Sequence, residues 1–166
     1  MNYFKRNYFS FGGKISIKTT DYNADDFSTN DKLLFVPYDT NSDFNGLSKV
    51  SYTASSLPIY KLFKKEKLDA DFAISNLDDC VFADNHSIDW FGPTIFIPLM
   101  LISQNPNIVN FCLNIISNYV YDLFNGKNKD PSINCSFIYE DKQKKKKVEY
   151  EGPVSGLKEI EKILKA

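Results

Sequence analysis

The chain has 166 residues, of which 43% are hydrophobic and 25% are charged, and such a chain folds as one globular domain rather than remaining disordered. Its 20 lysine and arginine residues nearly balance its 21 acidic residues, which excludes a strong overall field that would attract nucleic acid or anionic lipid. Arg6 is the only arginine, although arginine is the usual side chain for gripping phosphate and guanine edges. The frequent Lys, Asn, Ile and Tyr residues are typical of an AT-rich bacterial genome.

The three cysteines, Cys80, Cys112 and Cys135, form no paired motif, and their wide spacing argues against a disulfide framework. Cys112 and Cys135 fall on apolar faces, where a thiol acts as a small hydrophobic group. The first residues lack the apolar core of a signal peptide. We therefore expect a cytoplasmic protein.

Residues 1–54 predict a β-rich N-terminal part. Apolar residues at every second position around a glycine pair predict two strand pieces joined by a bend. These residues are Phe9, Phe11, Ile15 and Ile17, and the glycines are Gly12 and Gly13. Residues 33–36 form a compact apolar run that predicts another strand, whereas residues 39–47 are turn-like.

Residues 55–166 predict a part in which helices and strands are mixed. Ser55 or Ser56 followed by Pro58 predicts the start of a helix. The alternation around Phe72 and Ile74 then predicts a strand. Residues 76–89 are acidic and are expected to form a loop.

Residues 90–121 contain no charged side chain. A membrane-spanning helix needs about 20 uninterrupted apolar residues, and prolines at positions 93, 98 and 106 divide this run into shorter pieces. Residues 94–103 predict a short buried helix or an extended segment. Residues 106–124 predict the central helix, with Asn105 as its cap and Gly126 just beyond its end.

The central helix predicts an apolar stripe that packs against strands carrying Phe72, Ile74, Phe137 and Tyr139. The stripe comprises Ile108, Phe111, Cys112, Ile115, Ile116, Tyr119, Leu123 and Phe124. The opposite side is polar but uncharged and includes Asn107, Asn110, Asn114, Ser117, Asn118 and Tyr121. A solvated helix face normally carries Lys and Glu, so the lack of charge predicts that another surface covers this one. Residues 132–151 then predict a β-hairpin with a lysine-rich tip, and residues 153–165 predict a final helix.

Three further groups of residues suggest chemistry or contact. Asp84, His86 and Asp89 are hard-metal and imidazole ligands in the acidic loop, although their spacing matches no metal motif. A Cys–His pair would have to use His86, the only histidine. Trp90 and Phe91, at the start of the uncharged run, predict either an anchor for a partner or a plug of the core.

The second two-thirds of the chain resemble known sequences in the order of their elements. The run PTIFIPLMLISQNPNIVNFCLNIISNYVYDLF, the hairpin and the segment VEYEGPVSGLKEIEKIL resemble small bacterial proteins and, more loosely, the effector-associated constant components encoded beside conflict and anti-phage systems. The shared pattern is Tyr-x-Gly-x-x-x-Gly-Leu, here Tyr150, Gly152, Gly156 and Leu157. The resemblance implies a non-catalytic partner or adaptor and transfers no active-site residue.

Together these observations predict a single α+β domain over residues 1–166, with a mainly antiparallel sheet and helices packed on one or both faces. The expected function is that of a non-catalytic interaction or assembly component that binds a protein partner or its own copy, without cofactor or metal. The partner-binding candidates are Trp90, Phe91, Asn110, Asn114, Ser117, Asn118 and Tyr121. One alternative is a metal-dependent hydrolase or nuclease that uses Asp84, His86 and Asp89, and another is a peripheral membrane protein that uses residues 90–102.

Overall fold

The computed structural model describes residues 4–10, 13–22, 31–44, 47–74, 77–83, 90–124, 130–141 and 144–164. The strands are β1 (Phe4–Ser10), β2 (Gly13–Tyr22), β3 (Leu33–Val36), β4 (Asp39–Phe44), β5 (Leu47–Thr53), β6 (Ala70–Phe72), β7 (Cys80–Ala83), β8 (Trp90–Ile97), β9 (Ser132–Asp141) and β10 (Lys144–Pro153). The helices are α1 (Ser56–Lys65), α2 (Leu99–Gln104), α3 (Ile108–Phe124) and α4 (Lys158–Leu164), with short 3-10 helices at Leu77–Asp79 and Val154–Leu157.

Within the described residues, the strands form a seven-stranded main sheet and a three-stranded second sheet. The main sheet has the order β1-β2-β10-β9-β8-β3-β6, and the second has the order β4-β5-β7. Pairings in the main sheet are antiparallel except for β8–β9 and β3–β6, which are parallel. The structure therefore confirms an α+β fold with a mainly antiparallel sheet.

The helices pack on one face of the main sheet. Strand alternation directs every second side chain toward them, as in β10, where Val148 and Tyr150 are buried beneath the helices. α1 and α4 contribute their own buried residues to this core, including Phe63 and Ile160. The other face of the sheet holds a smaller apolar cluster of Leu34, Val36, Phe96 and Ile138.

The central helix begins as its sequence suggests, but the residues that it buries differ in part from the predicted apolar stripe. The Asn105 side-chain oxygen accepts a hydrogen bond from the Asn107 backbone N–H at 3.2 Å, and Pro106 precedes the first turn. The buried residues of α3 are Ile108, Val109, Cys112, Leu113, Ile116 and Val120. Phe111 and Leu123, which were predicted to be in the core, are about half exposed instead. The stripe was wrong there because Val109, Leu113 and Val120 lie closer to the centre of the apolar arc.

Several local predictions differ from the structure. Residues 39–47, predicted as turns, contain β4 and the start of β5. The predicted loop at residues 76–89 contains a 3-10 helix and β7, which pairs in parallel with β5. β4 is polar and β7 is only four residues long, so their pairing partners rather than their own sequence determine the conformation. Phe11 and Gly12 lie outside the described residues.

The second sheet is attached to the core through Tyr52. The Tyr52 ring is fully buried, stacks on Phe82 with ring centroids 5.5 Å apart, and meets Phe72 edge-on at 5.2 Å. Its hydroxyl oxygen accepts a hydrogen bond from the Ile74 N–H at 3.2 Å. Burial raises the pKa of Tyr52 to about 12, so this side chain stays neutral in the core.

The Tyr-x-Gly-x-x-x-Gly-Leu segment forms the corner that leads from β10 to α4. The buried Tyr150 hydroxyl donates a hydrogen bond to the Pro153 carbonyl at 2.5 Å. A Cβ atom on Gly156 would overlap the Tyr150 hydroxyl and the Ile15 side chain, so only glycine fits without a shift. Tyr150 and Gly156 of this segment therefore have a packing role in this fold.

Candidate functional site

The strongest candidate site is the solvent-facing side of α3, called here the α3 outer face. It consists of Asn110, Phe111, Asn114, Ser117, Asn118 and Tyr121. Successive residues three or four apart place these side chains along one side of the helix, away from the buried residues. Ser117 is half-buried and the others are exposed, so the sheet and the other helices of the same chain do not bury this face.

The α3 outer face combines amide groups with aromatic rings. Phe111 is 48% exposed near the N-terminal end of the face, and Tyr121 is exposed at its C-terminal end. Partial burial and the nearby Asp130 carboxylate raise the pKa of Tyr121, which keeps its hydroxyl protonated. The face therefore offers uncharged hydrogen-bonding groups beside a large apolar ring.

A shallow groove borders the α3 outer face. It has a volume of about 170 Å³ and lies between α3 and the segment that starts α4. Leu113, Val154 and Leu157 give it apolar walls, while Ser155 and Lys158 supply polar groups. Asp130 holds this segment in place by accepting hydrogen bonds from the Ser155 N–H at 3.0 Å and its hydroxyl at 2.6 Å.

The structure does not bring Trp90 and Phe91 to the α3 outer face. Trp90 is half-buried on the helix side of the sheet, where its ring lies 6.0 Å from that of Tyr119 and covers Gly92. Phe91 points the other way, and its carbonyl accepts a hydrogen bond from the Ser55 hydroxyl at 2.7 Å. Ser55 thus connects the start of α1 to β8 instead of capping α1 with its side chain. The candidate partner-binding residues are therefore divided between separate places.

The candidate metal ligands Asp84, His86 and Asp89 lie outside the described residues. Within the described part of the chain, no three His, Cys, Asp or Glu side chains are grouped so that they could hold a metal ion. Two of the thiols are buried, and burial raises the pKa of Cys112 to about 12 and that of Cys135 further still. A thiol with such a raised pKa stays protonated, and a protonated thiol is a poor nucleophile.

The lysines of the β9–β10 hairpin are engaged in local contacts. Lys146 pairs with Asp141 at 3.3 Å and Lys147 with Glu149 at 3.4 Å. The Lys145 ammonium lies 5.4 Å from the centre of the Phe96 ring. Lys145, Lys146 and Lys147 are therefore each next to a group of the same chain.

The sequence located the amide side of α3 but missed the exposed aromatic side chain of Phe111 beside it. The i, i+3, i+4 pattern predicts Phe111 to be in the core. Val109, Leu113 and Val120 form a second apolar row on α3, and this row, which is buried, was the signal that could have excluded Phe111. Leu99 and Met100 on α2 are also about half exposed, and α2 contacts α3. In the described part of the structure, no helix is long and apolar enough to cross a membrane.

Comparison of the chain with protein-family models, with curated proteins and with solved structures finds no match.

Proposed function

We propose that this protein is a non-catalytic interaction component that binds a protein partner through the α3 outer face. The observation that carries the proposal is a helix face that is open to solvent, uncharged from Asn110 to Tyr121, and flanked by the exposed aromatic rings of Phe111 and Tyr121 at its two ends. The centres of protein interfaces are poor in charged residues and rich in aromatic residues. The resemblance to accessory proteins of anti-phage systems supports an adaptor role, with a partner from the same defence system.

The chemistry of the face favours a protein over other occupants. A phosphate backbone requires cations, and the face has none. A lipid surface would bury the asparagine amides without hydrogen-bond partners, which is costly. A protein surface can satisfy those amides and cover Phe111 at the same time.

The size of the face indicates how the partner binds. A helix rises about 1.5 Å per residue, so the α3 outer face is roughly 18 Å long and about 10 Å wide. Stable interfaces bury about 800 Å² on each side, which is more than this strip provides. The partner is therefore expected to extend over the neighbouring groove, where Ser155 and Lys158 are exposed.

The test is affinity capture of the native protein from its own cells, with the captured proteins identified by mass spectrometry. Phe111→Lys and Asn114→Lys each place one positive charge on the α3 outer face. Glu66→Gln is the matched control, because it raises the net charge by the same amount at the exposed end of α1. We expect a partner that both lysine variants lose and the control retains.

Light scattering on the same proteins separates a distinct partner from a second copy of the chain. If the purified protein is a dimer that the lysine variants convert to a monomer, the occupant of the face is another copy. If the lysine variants capture the same proteins as wild type and control, the α3 outer face is not the binding surface and the proposal fails.

A further inference from the structure

A cleft on the opposite side of the molecule forms a second candidate site. It lies on the face of the main sheet that points away from the helices, and its volume is about 540 Å³. Tyr38, Thr53 and Ala83, from the ends of strands in or beside the second sheet, form one wall. We call it the sheet cleft. Pockets for small molecules typically measure about 300–1,000 Å³, so the sheet cleft has the capacity for such a ligand.

The floor of the sheet cleft consists of two cross-strand rows of mostly polar side chains. The first row is Lys18, Glu149, Ser136 and Thr94, and the second is Ser16, Glu151, Asn134 and Phe91. In the adjoining part of the same sheet face, Phe96 and Ile138 are buried with Leu34 and Val36. The floor of the cleft is therefore more polar than the neighbouring part of the sheet around Phe96 and Ile138.

Thr94 is the most informative residue of the floor. It is 8% exposed, yet among the described residues its hydroxyl has no hydrogen-bond partner. Buried polar groups nearly always have a partner, and one without a partner requires an explanation. Because Thr94 lines the cleft, a ligand that enters the cleft can supply the missing hydrogen bond.

The charges of the floor determine which ligands fit. The Glu149 carboxylate lies 4.0 Å from the Lys18 ammonium and 3.4 Å from the Lys147 ammonium, so both cations are next to a carboxylate. Glu151 adds a second negative charge to the same floor. Lys18 and Lys147 are balanced by Glu149 and Glu151, so these residues give the cleft no net positive charge, which disfavours a phosphate or a carboxylate ligand.

The remaining groups suit a ring that carries hydroxyl groups. Glu151 can accept hydrogen bonds from neighbouring hydroxyls, while Asn134 and Ser136 can both donate and accept. Phe91 lines the floor and Tyr38, which is 49% exposed, lines the wall, so both offer apolar surface to C–H groups. We propose that the sheet cleft binds a neutral, hydroxyl-rich small molecule, either a free sugar or the ribose of a nucleoside. This site is separate from the α3 outer face and does not depend on the proposed function.

The experiment is a titration of the full, isotope-labelled chain, followed through its backbone amide NMR signals. The probes are D-ribose, D-glucose, maltose, adenosine and adenosine monophosphate, each titrated alone. We expect a sugar or adenosine to shift the amide signals of Thr94 and Ser136. A response to ribose and to adenosine indicates a nucleoside, whereas a response to glucose or maltose indicates a free sugar.

Thr94→Val tests the mechanism because it removes the hydroxyl and keeps the shape of the side chain. We expect affinity for the bound probe to fall about tenfold, the value of one hydrogen bond between neutral groups. The melting temperature should not fall, since the hydroxyl has no protein partner to lose. Ser132→Ala, at an exposed position of the same strand as Ser136, is the control and should bind normally. If Thr94→Val does not fold, Ser136→Ala takes its place.

Three results would overturn the proposal. The first is that none of the five probes shifts signals in the cleft. The second is that Thr94→Val binds as tightly as the unaltered protein. The third is that adenosine monophosphate binds more tightly than adenosine, because the cleft would then recognise phosphate rather than hydroxyl groups.

Discussion

α1 and α3 pack on the same face of the main sheet and contact each other, yet their outer faces differ completely. α1 exposes Lys61, Lys64 and Lys65. The Lys64 ammonium lies 3.9 Å from the Asp69 carboxylate and 5.6 Å from the centre of the Tyr60 ring. α3 exposes asparagines and Phe111 instead. The chain is rich in both lysine and asparagine, so overall composition does not explain why lysine is absent from the α3 outer face.

The asparagines of the α3 outer face also affect the stability of the helix. Asparagine is a poorer helix former than lysine, because its short side chain competes for backbone hydrogen bonds. The exposed asparagines therefore make α3 less stable than lysines at the same positions would, whereas the exposed lysines of α1 carry no such penalty. We interpret the lysine-rich face of α1 as a solvated surface and the uncharged α3 outer face as a contact surface. Four predictions test this comparison of the two helices.

The largest expected effect is on the reactivity of Cys112, on the inner face of α3. Burial raises its pKa from about 9 to about 12, which lowers the thiolate fraction at pH 8 about a thousandfold. We expect a thiol reagent to label Cys112 rapidly in the unfolded protein and very slowly in the native one. Mass spectrometry of the labelled peptide measures this, and rapid native labelling would show that the inner face is open.

The next effect is on the stability provided by the two inner faces. Phe63 on α1 is fully buried, with its ring 5.4 Å from that of Phe35, and Ile116 on α3 is also fully buried. Phe63→Ala should lower the free energy of unfolding by about 3–5 kcal/mol and Ile116→Ala by about 2–5 kcal/mol. Urea denaturation followed by circular dichroism measures both. A loss of less than 1 kcal/mol in either variant would contradict the assigned packing.

A smaller effect, of opposite sign, is expected when α3 is given an outer face like that of α1. The double substitution Asn110→Glu and Asn114→Lys introduces better helix formers and an ion pair one turn apart. It should raise the free energy of unfolding by about 0.5–1 kcal/mol and prevent partner capture. The reverse substitution on α1, Lys61→Asn, should lower stability by a few tenths of a kcal/mol and leave capture intact. If the α3 variant becomes more stable and still binds the partner, the asparagines are not kept for binding.

The smallest expected effect is that of Phe111→Ala on folding. Because about half of the side chain already faces solvent, its removal should change the free energy of unfolding by about 0.5 kcal/mol or less. The same denaturation curves as for Ile116→Ala provide the measurement. A decrease in the free energy of unfolding of more than 2 kcal/mol would show that Phe111 packs in the core and would count against the α3 outer face as a binding surface.

The parts of the fold that the sequence predicted have strong local patterns. Pro106 follows a capping asparagine, and the predicted helix at residues 106–124 corresponds to α3 at Ile108–Phe124. The predicted hairpin at residues 132–151 corresponds to the antiparallel pair Ser132–Asp141 and Lys144–Pro153. The amide side of α3 was visible for the same reason, since its spacing follows the helical repeat.

The sheet cleft could not be predicted in this way. Thr94, Ser136 and Glu149 are far apart in sequence and become neighbours only because β8, β9 and β10 pair in one register. The same limitation applies to Phe111, because two apolar arcs compete on α3 and only packing against α1, α4 and β8 decides between them. Patterns along one element do not contain that information.

The sequence by itself determined the α+β class, the uncharged stretch of residues 90–121 and the helix that carries the amide face, because these depend on composition and on repeats within one segment. Tertiary structure alone decided that Phe111 faces solvent, where Trp90 packs, and how the polar rows of four strands meet in one cleft. These outcomes depend on pairing and burial between distant segments, and a residue's neighbours in the chain do not specify them.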